Sequence, residues 1–409
     1  MTERLYYSDS YLTKFDATVV RVVRHEGRPA VVLDRTAFYP TSGGQPFDTG
    51  SLSTARVVDV VDTDAGEILH IFEGVLELSP VVVGGSEISP VHGTIDWPRR
   101  FEHMQQHTGQ HVLSAAFERV AGARTESFHL GSSSSTIDLN RTLTPAEIER
   151  AEEEANRIIW DDVPVGVRFA SAEEAAALPL RKESVRTGTL RLIEVPGFDL
   201  SACGGTHVAR TGAIGVVAVA SSERFRGGTR VEFLCGVRAA RGYRLLRDAV
   251  AASVRLVSVL PGDLPAGIER LQAEMKDTKR TVKDLQSRLA TFEGLALADR
   301  AEAVGPIRAA ITVVEGSDQA GLKSLTAAIT TRPGHVAALF SGASPSAAVI
   351  ARAQDVTIDC ASILKKLIER FGGKGGGRPD LAQGGGLQGD PSEIVRVTRE
   401  LISTAVSPA

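Results

Sequence analysis

From residue 11 to about residue 92, apolar residues come in short β-branched runs (ATVVRVV, AVVLD, ARVVDVV and VVVGG) separated by clusters of Gly, Asp, Ser and Pro. Runs of that length bounded by turn residues predict short strands, and their close succession predicts a small antiparallel barrel. After Asp96 the period changes. In FEHMQQHTGQHVLSAAFERV, the residues Met104, His107, His111 and Ser114 recur at steps of three and four, which puts them on one face of a predicted helix. SSSSTIDLN then reads as a strand, and TPAEIERAEEEANRIIWDD as a helix with Thr144 at its N-cap and Glu147 three residues on. VGVRFAS reads as a further strand. This alternation, which continues to about Arg247, predicts a domain of α/β or α+β type.

A second period starts at Ile268. Ile268, Leu271, Met275, Thr278, Val282, Leu285, Leu289 and Phe292 alternate steps of three and four over more than three heptads, with mostly charged residues between them. That stripe predicts a coiled-coil or helical-hairpin seam, which would hold two domains apart or pair with another chain. Beyond about Ala301, the strand-like AAITVVEG and GHVAALFSG alternate with helical segments, and the chain reaches the glycine-rich FGGKGGGRPDLAQGGG. The expected fold class is therefore α+β and multidomain. The expected domains are a barrel over 1–95, an α/β domain carrying the paired histidines over 96–247, a helical linker over 248–300 and a C-terminal α/β domain over 301–409.

Composition changes this picture little. The chain has 409 residues, 43% hydrophobic and 23% charged, enough to build two or three ordinary cores without staples. Three scattered cysteines, Cys203, Cys235 and Cys360, make no disulfide framework, and MTERLYYSDS lacks the build of a signal peptide, so the cytoplasm is the expected compartment. No apolar run approaches the roughly 18–20 residues that span a bilayer, and a membrane role is not expected. A net charge of -4 argues against indiscriminate coating of nucleic acid but leaves room for local basic surfaces. Two exist: seven arginines against two glutamates over 223–247, and five basic residues against one glutamate over 365–378. Each also reads as a merely solvated face.

The chemistry sits in two short motifs. HTGQH places His107 and His111 four apart on one helix face, which by itself is as consistent with neighbouring side chains as with ligands. CGGTH adds Cys203 and His207, a thiolate and an imidazole four apart across two glycines that would let a loop bend tightly, and together the motifs offer a Cys/His3 set. Sulfur and imidazole donors favour zinc over magnesium or calcium. A zinc protease is excluded, because Thr108, not Glu, follows His107. Four protein ligands are the mark of structural zinc, so spacing alone leans to a structural role over a catalytic one.

In order along the chain, FYPTSGGQPFDTG (residues 38–50), HTGQH, CGGTH and GGTRVEF (residues 227–233) resemble the editing domain of alanyl-tRNA synthetase and the free-standing AlaX proteins. GGKGGGRPDLAQGGG (residues 372–386) resembles the glycine-rich end of the synthetase's C-terminal domain, which is also attached to DHH-family phosphoesterases. The helical linker falls between the halves as in the long form of AlaX. No Asp-His-His triplet occurs in the chain, so the phosphoesterases lend a domain and not their chemistry. The chain begins at the barrel with no room for an aminoacylation domain, so charging of tRNA is not expected.

The resemblance implies a trans-editing hydrolase that removes a wrongly attached amino acid, serine or also glycine, from tRNA for alanine. The alternative is a non-catalytic tRNA-binding protein with structural zinc. His107, His111, Cys203 and His207 would form the catalytic zinc centre, with the ion orienting the substrate, polarising its carbonyl or activating a water. Thr41, Ser42, Gly43, Gly44 and Gln45 would place a loop against the amino-acid pocket, where hydroxyl and amide groups read a serine hydroxyl. Ser127 and His129 would add to it, or are plain strand-surface residues. Arg230 would clamp a phosphate near the acceptor end, or pair with Glu223 or Glu232. Lys365, Lys366, Lys374 and Arg378 would grip the tRNA body through salt-sensitive contacts. The linker or the tail would join two copies of the chain.

Overall fold

The computed structural model describes residues 1–83, 86–182 and 188–406. Gly84 and Gly85 of the run VVVGG lie outside the described residues. The chain divides into two compact units, Met1–Ser253 and Val254–Ala409.

The first unit opens with the barrel. Six strands, β1 (Lys14–His25), β2 (Arg28–Leu33), β3 (Gly50–Leu52), β4 (Ala55–Asp62), β5 (Ile68–Glu73) and β6 (Pro90–Ile95), close in the order β6-β1-β2-β5-β4-β3. Every pairing is antiparallel, and β6 completes the ring by bonding both β1 and β3. Alternation supplies the filling: Phe15, Val31, Leu33, Leu52, Val57, Val60 and Ile68 point inward and pack with Phe38. Closure leaves the barrel sheet no free edge.

One residue past the barrel, Asp96 caps α1 (Trp97–Ala121) by accepting the Arg99 amide, and Gly122 ends it in the left-handed conformation at φ 60°. The helix is buried through most of its length, polar residues included, because the rest of the unit is built around it. After β7 (Thr125–Leu130), SSSSTIDLN forms the predicted strand β8 (Ser135–Leu139), and α2 (Pro145–Trp160) begins with the Thr144/Glu147 capping box that the sequence announces. Two antiparallel sheets complete the unit: β7-β8-β13-β12, with β12 at Val217–Phe225 and β13 at Gly228–Cys235, and β9-β10-β11, at Gly166–Ala170, Leu190–Val195 and Asp199–Ala202. The unit ends within α3 (Gly236–Val257).

The second unit starts with α4 (Leu264–Asp299), a single 36-residue helix over the predicted stripe. The stripe is not a buried seam. Ile268, Leu271, Met275, Val282, Leu285, Leu289 and Phe292 are all exposed, while α4 packs through Ala290, Gly294 and Ala298 near its end. The hairpin expected from the spacing is therefore not formed within the unit. Heptad spacing specifies an amphipathic helix but not a partner.

Beyond α4 a six-stranded sheet runs in the order β14-β15-β16-β17-β19-β18, at Glu302–Val304, Ile307–Val314, His335–Ser341, Ser346–Arg352, Leu381–Leu387 and Lys374–Arg378. β15 and β16 are parallel, with α5 (Gln319–Ile329) as their crossover. On β16, Val336, Ala338 and Phe340 face α6 (Cys360–Phe371) and α7 (Pro391–Val406), and Ala337 and Leu339 face α4 and α5. The molecule is thus α+β, with a closed barrel and antiparallel sheets in one unit and a helix-covered mixed sheet in the other. Among the described residues no single helix is long and apolar enough to cross a membrane.

Candidate metal centre

α1 carries His107 and His111 one turn apart, so both rings leave the same helix face. Opposite them, β11 runs Asp199, Leu200, Ser201, Ala202 with alternate burial, and Cys203 follows two residues past Ser201, at the period that shares the face of Asp199 and Ser201. The chain then turns back to deliver His207. The ligand atoms of His107, His111, Cys203 and His207 all lie within 4.8 Å of one another. His107 Nε2 and His207 Nε2 each lie 3.3 Å from Cys203 Sγ.

The second glycine of CGGTH is needed for space more than for turning. A β-carbon on Gly205 would sit 2.2 Å from His107 Cε1 and 3.0 Å from Gln45 Oε1, so only glycine lets the loop close on that ring.

The opposite nitrogen of each imidazole is already held. His107 Nδ1–H donates to Gln45 Oε1 at 2.8 Å, His111 Nδ1–H donates to Asp199 Oδ2 at 3.0 Å, and His207 Nδ1 meets Thr108 Oγ1 at 3.2 Å. Asp199 also accepts from Arg181 Nε at 2.6 Å and from the Ser201 hydroxyl. Such partners set tautomer and ring orientation, and they turn the Nε2 atoms toward the thiol.

Charge is arranged to suit a cation. Burial works against ionisation of Cys203, but His107 and His207 outweigh it and hold the thiol well below the usual range. Burial likewise opposes a charge on His111, yet Asp199 and Cys203 overcome it and raise that imidazole to about 9. Burial presses His207 down to about 3. Burial tends to raise Asp199, and His111 and Arg181 bring it down to about 2. Without metal, Cys203 is thus held toward its thiolate and His111 toward its imidazolium.

Metal uptake near pH 7 should then expel the proton on His111, since an imidazolium cannot ligate. Since His111 stays protonated up to about 9, affinity should climb roughly tenfold per pH unit from neutrality and flatten above that value. Chelator competition across that range measures the slope, and an affinity independent of pH would contradict the charge assignment.

The remaining candidates are scattered. Gln45 is fully buried, its amide committed to His107, to the Thr206 N–H and to Thr206 Oγ1. Gly44, at φ 80°, lies against the Phe128 ring, and that ring lies 5.9 Å from His107. Thr41, Ser42 and Gly43 form the outer part of the same loop. Ser127 and His129 alternate with Phe128 along β7, so they face the other side of the sheet and are exposed. Ser127 donates to Asp138, and Arg230 pairs with Asp138 at 2.7 Å while stacking over Phe225, so its carboxylate partner is neither Glu223 nor Glu232. Lys365 and Lys366 are exposed on α6. Lys374 and Arg378 are exposed on the edge strand β18, and Arg378 meets Asp380 at 3.0 Å.

Asp199, Thr108, Thr206 and Arg181 are not among the residues singled out from sequence. A signal for Asp199 is present, since it stands four residues before Cys203 in strand-like DLSA and period two puts both on one face.

Fold and site together present, in a unit that opens with a closed barrel, four side chains that could hold a metal ion. Residues 3–99 match the family of class II (A) tRNA synthetases, residues 190–232 match the threonyl and alanyl tRNA synthetase second additional domain, and residues 307–404 match the DHHA1 domain. The alanyl-tRNA editing protein AlaX-L of Pyrococcus horikoshii is 32% identical over 98% of this chain and 98% of its own length. The alanine–tRNA ligase of Methanoregula boonei is 33% identical over 99% of this chain, which spans only 44% of that enzyme. The crystal structure of the C-Ala domain from Aquifex aeolicus alanyl-tRNA synthetase matches 25% of the chain at 27% identity, with a TM-score of 0.24. The chain belongs to the family of alanyl-tRNA editing proteins.

Proposed function

We propose that this chain is a trans-editing hydrolase, which releases serine from tRNA for alanine through a zinc centre made of His107, His111, Cys203 and His207. As a family member it is an aminoacyl-tRNA deacylase and acts on alanyl-type tRNA. The observation that carries the reading is the convergence of one thiolate and three imidazoles beside a hydroxyl-bearing loop of the barrel.

Zinc suits the donors. At zinc bond lengths of about 2.0–2.3 Å a tetrahedral site has N···S edges of about 3.5 Å, and the two N···S separations here are 3.3 Å. When bound, the ion would position the ester, polarise its carbonyl or activate a water. Gln45, Asp199 and Thr108 would keep the three rings aimed. The hydroxyls of Thr41 and Ser42 and the backbone of Gly43 and Gly44 are the groups we assign to reading a serine hydroxyl. A site that hydrogen-bonds that group discriminates strongly against alanine, which would leave the site's polar atoms unpaired. Lys365, Lys366, Lys374 and Arg378 would contact phosphates away from the ester.

A second reading has its own observation. Four protein ligands, three of them with buried outer partners, are also the pattern of a closed structural metal site. The two readings separate on amino-acid release from seryl- and alanyl-tRNA for alanine. The editing reading expects seryl ester cleavage well above the buffer rate, with alanyl ester spared by about 10²-fold or more. Cleavage of neither ester would leave the binding protein as the better account.

A further inference from the structure

We infer that Gln45 is a positioning residue that joins the barrel to the metal centre, tying both halves of the ligand set to one loop. Its side chain is fully buried and both ends of its amide are committed. Oε1 accepts from His107 Nδ1–H at 2.8 Å and from the Thr206 N–H at 3.1 Å, and Nε2 donates to Thr206 Oγ1 at 2.8 Å. One side chain thus grips His107 on α1 and the CGGTH loop at Thr206, 62 and 161 positions away along the chain.

The loop carrying Gln45 is itself fastened to α1 at a second place. Asp48 receives Arg100 Nε at 3.0 Å and the Tyr39 N–H at 2.7 Å, and Arg100 also donates to the carbonyls of Ser10 and Ala37. Arg100 and His107 are seven residues apart, about two helical turns. The loop is therefore laid along α1 with an ionic anchor at one end and the metal-facing imidazole at the other. Gln45 fixes His107 as an Nε2 ligand, and its Oε1 already accepts two N–H groups. Ser42 N–H donates to the Gln45 carbonyl at 3.1 Å and Gln45 N–H to the Ser42 carbonyl at 2.9 Å, so the metal centre and the loop form one unit.

The inference rests on the metal reading above, and the test separates the two. Zinc affinity of the full chain is measured by chelator competition, without tRNA, for the parent and for Gln45→Ala, Gln45→Glu and Thr54→Ala. The expected loss for Gln45→Ala is about 10–100-fold, the usual effect of removing an outer partner of a ligating histidine. Gln45→Glu keeps an acceptor for His107 and for the Thr206 N–H, lets the Thr206 hydroxyl donate instead, and should restore most of the affinity. Thr54→Ala, at an exposed barrel threonine whose hydroxyl donates to the Val75 carbonyl, should match the parent. If the parent binds zinc and Gln45→Ala binds it equally well, the inference falls and the metal reading stands. The same follows if Gln45→Glu is as weak as Gln45→Ala. A parent that binds no zinc overturns both.

Discussion

Asp48→Ala should lower the stability of the first unit by about 3–5 kcal/mol, because it strands a buried guanidinium. Arg100 and Asp48 are 0% and 1% exposed, and the arginine's remaining bonds go to two backbone carbonyls that cannot neutralise it. The Tyr39 N–H loses its acceptor as well. For a unit of this size, each kcal/mol lowers the melting temperature by roughly 2–4 °C, so thermal unfolding should shift down by about 6–20 °C. The exposed Arg28–Asp59 pair, 2.9 Å apart, is the control. Its removal should change stability by about 1 kcal/mol or less, since water and salt already screen both charges. A shift as small as this for Asp48→Ala would mean that the ion pair does not hold the loop on α1.

Cys203→Ala and His207→Ala should each strip the metal. Loss of a donor atom weakens binding by more than the roughly 10–100-fold that follows loss of an outer partner. Removing the thiolate also takes away the negative charge that offsets the imidazolium on His111. Elemental analysis should find about one zinc in the parent and far less in either variant, while Cys235→Ala keeps its zinc. Cys235 is buried with its thiol pushed up by burial, and it lies outside the cluster. Unchanged zinc in both ligand variants would remove these residues from the site.

How much of this was legible in sequence differs from residue to residue, for physical reasons. The barrel was readable because β-branched alternation and turn residues are local, and its closure follows from strands that cannot leave edges bare. His107 and His111 were readable as a pair because helical period places them on one face, and CGGTH because its spacing and softness suit one ion. Partnership across the fold was not readable. Gln45 and Thr206 are 161 positions apart, and nothing local says that the amide of a glycine loop ends between a histidine and a threonine. Arg230 reaches Asp138, 92 positions away, through strand register, whereas sequence pointed to glutamates on its own hairpin. Ser127 and His129 turned outward because β7 puts Phe128 inward, and period two alone does not say which face is which. The α4 stripe was visible, but whether anything covers it was not.

If the Cys/His3 cluster performs ester hydrolysis on mischarged tRNA, serine release must depend on its metal. The most direct test is the rate of serine release from seryl-tRNA for alanine at saturating tRNA, measured for the parent, for Cys203→Ala, and for the parent stripped by chelator and then given back zinc. The account predicts rapid release by the parent, loss of release in both metal-free forms and recovery on adding zinc to the stripped parent. Release at the parental rate by chain that demonstrably holds no metal would contradict it.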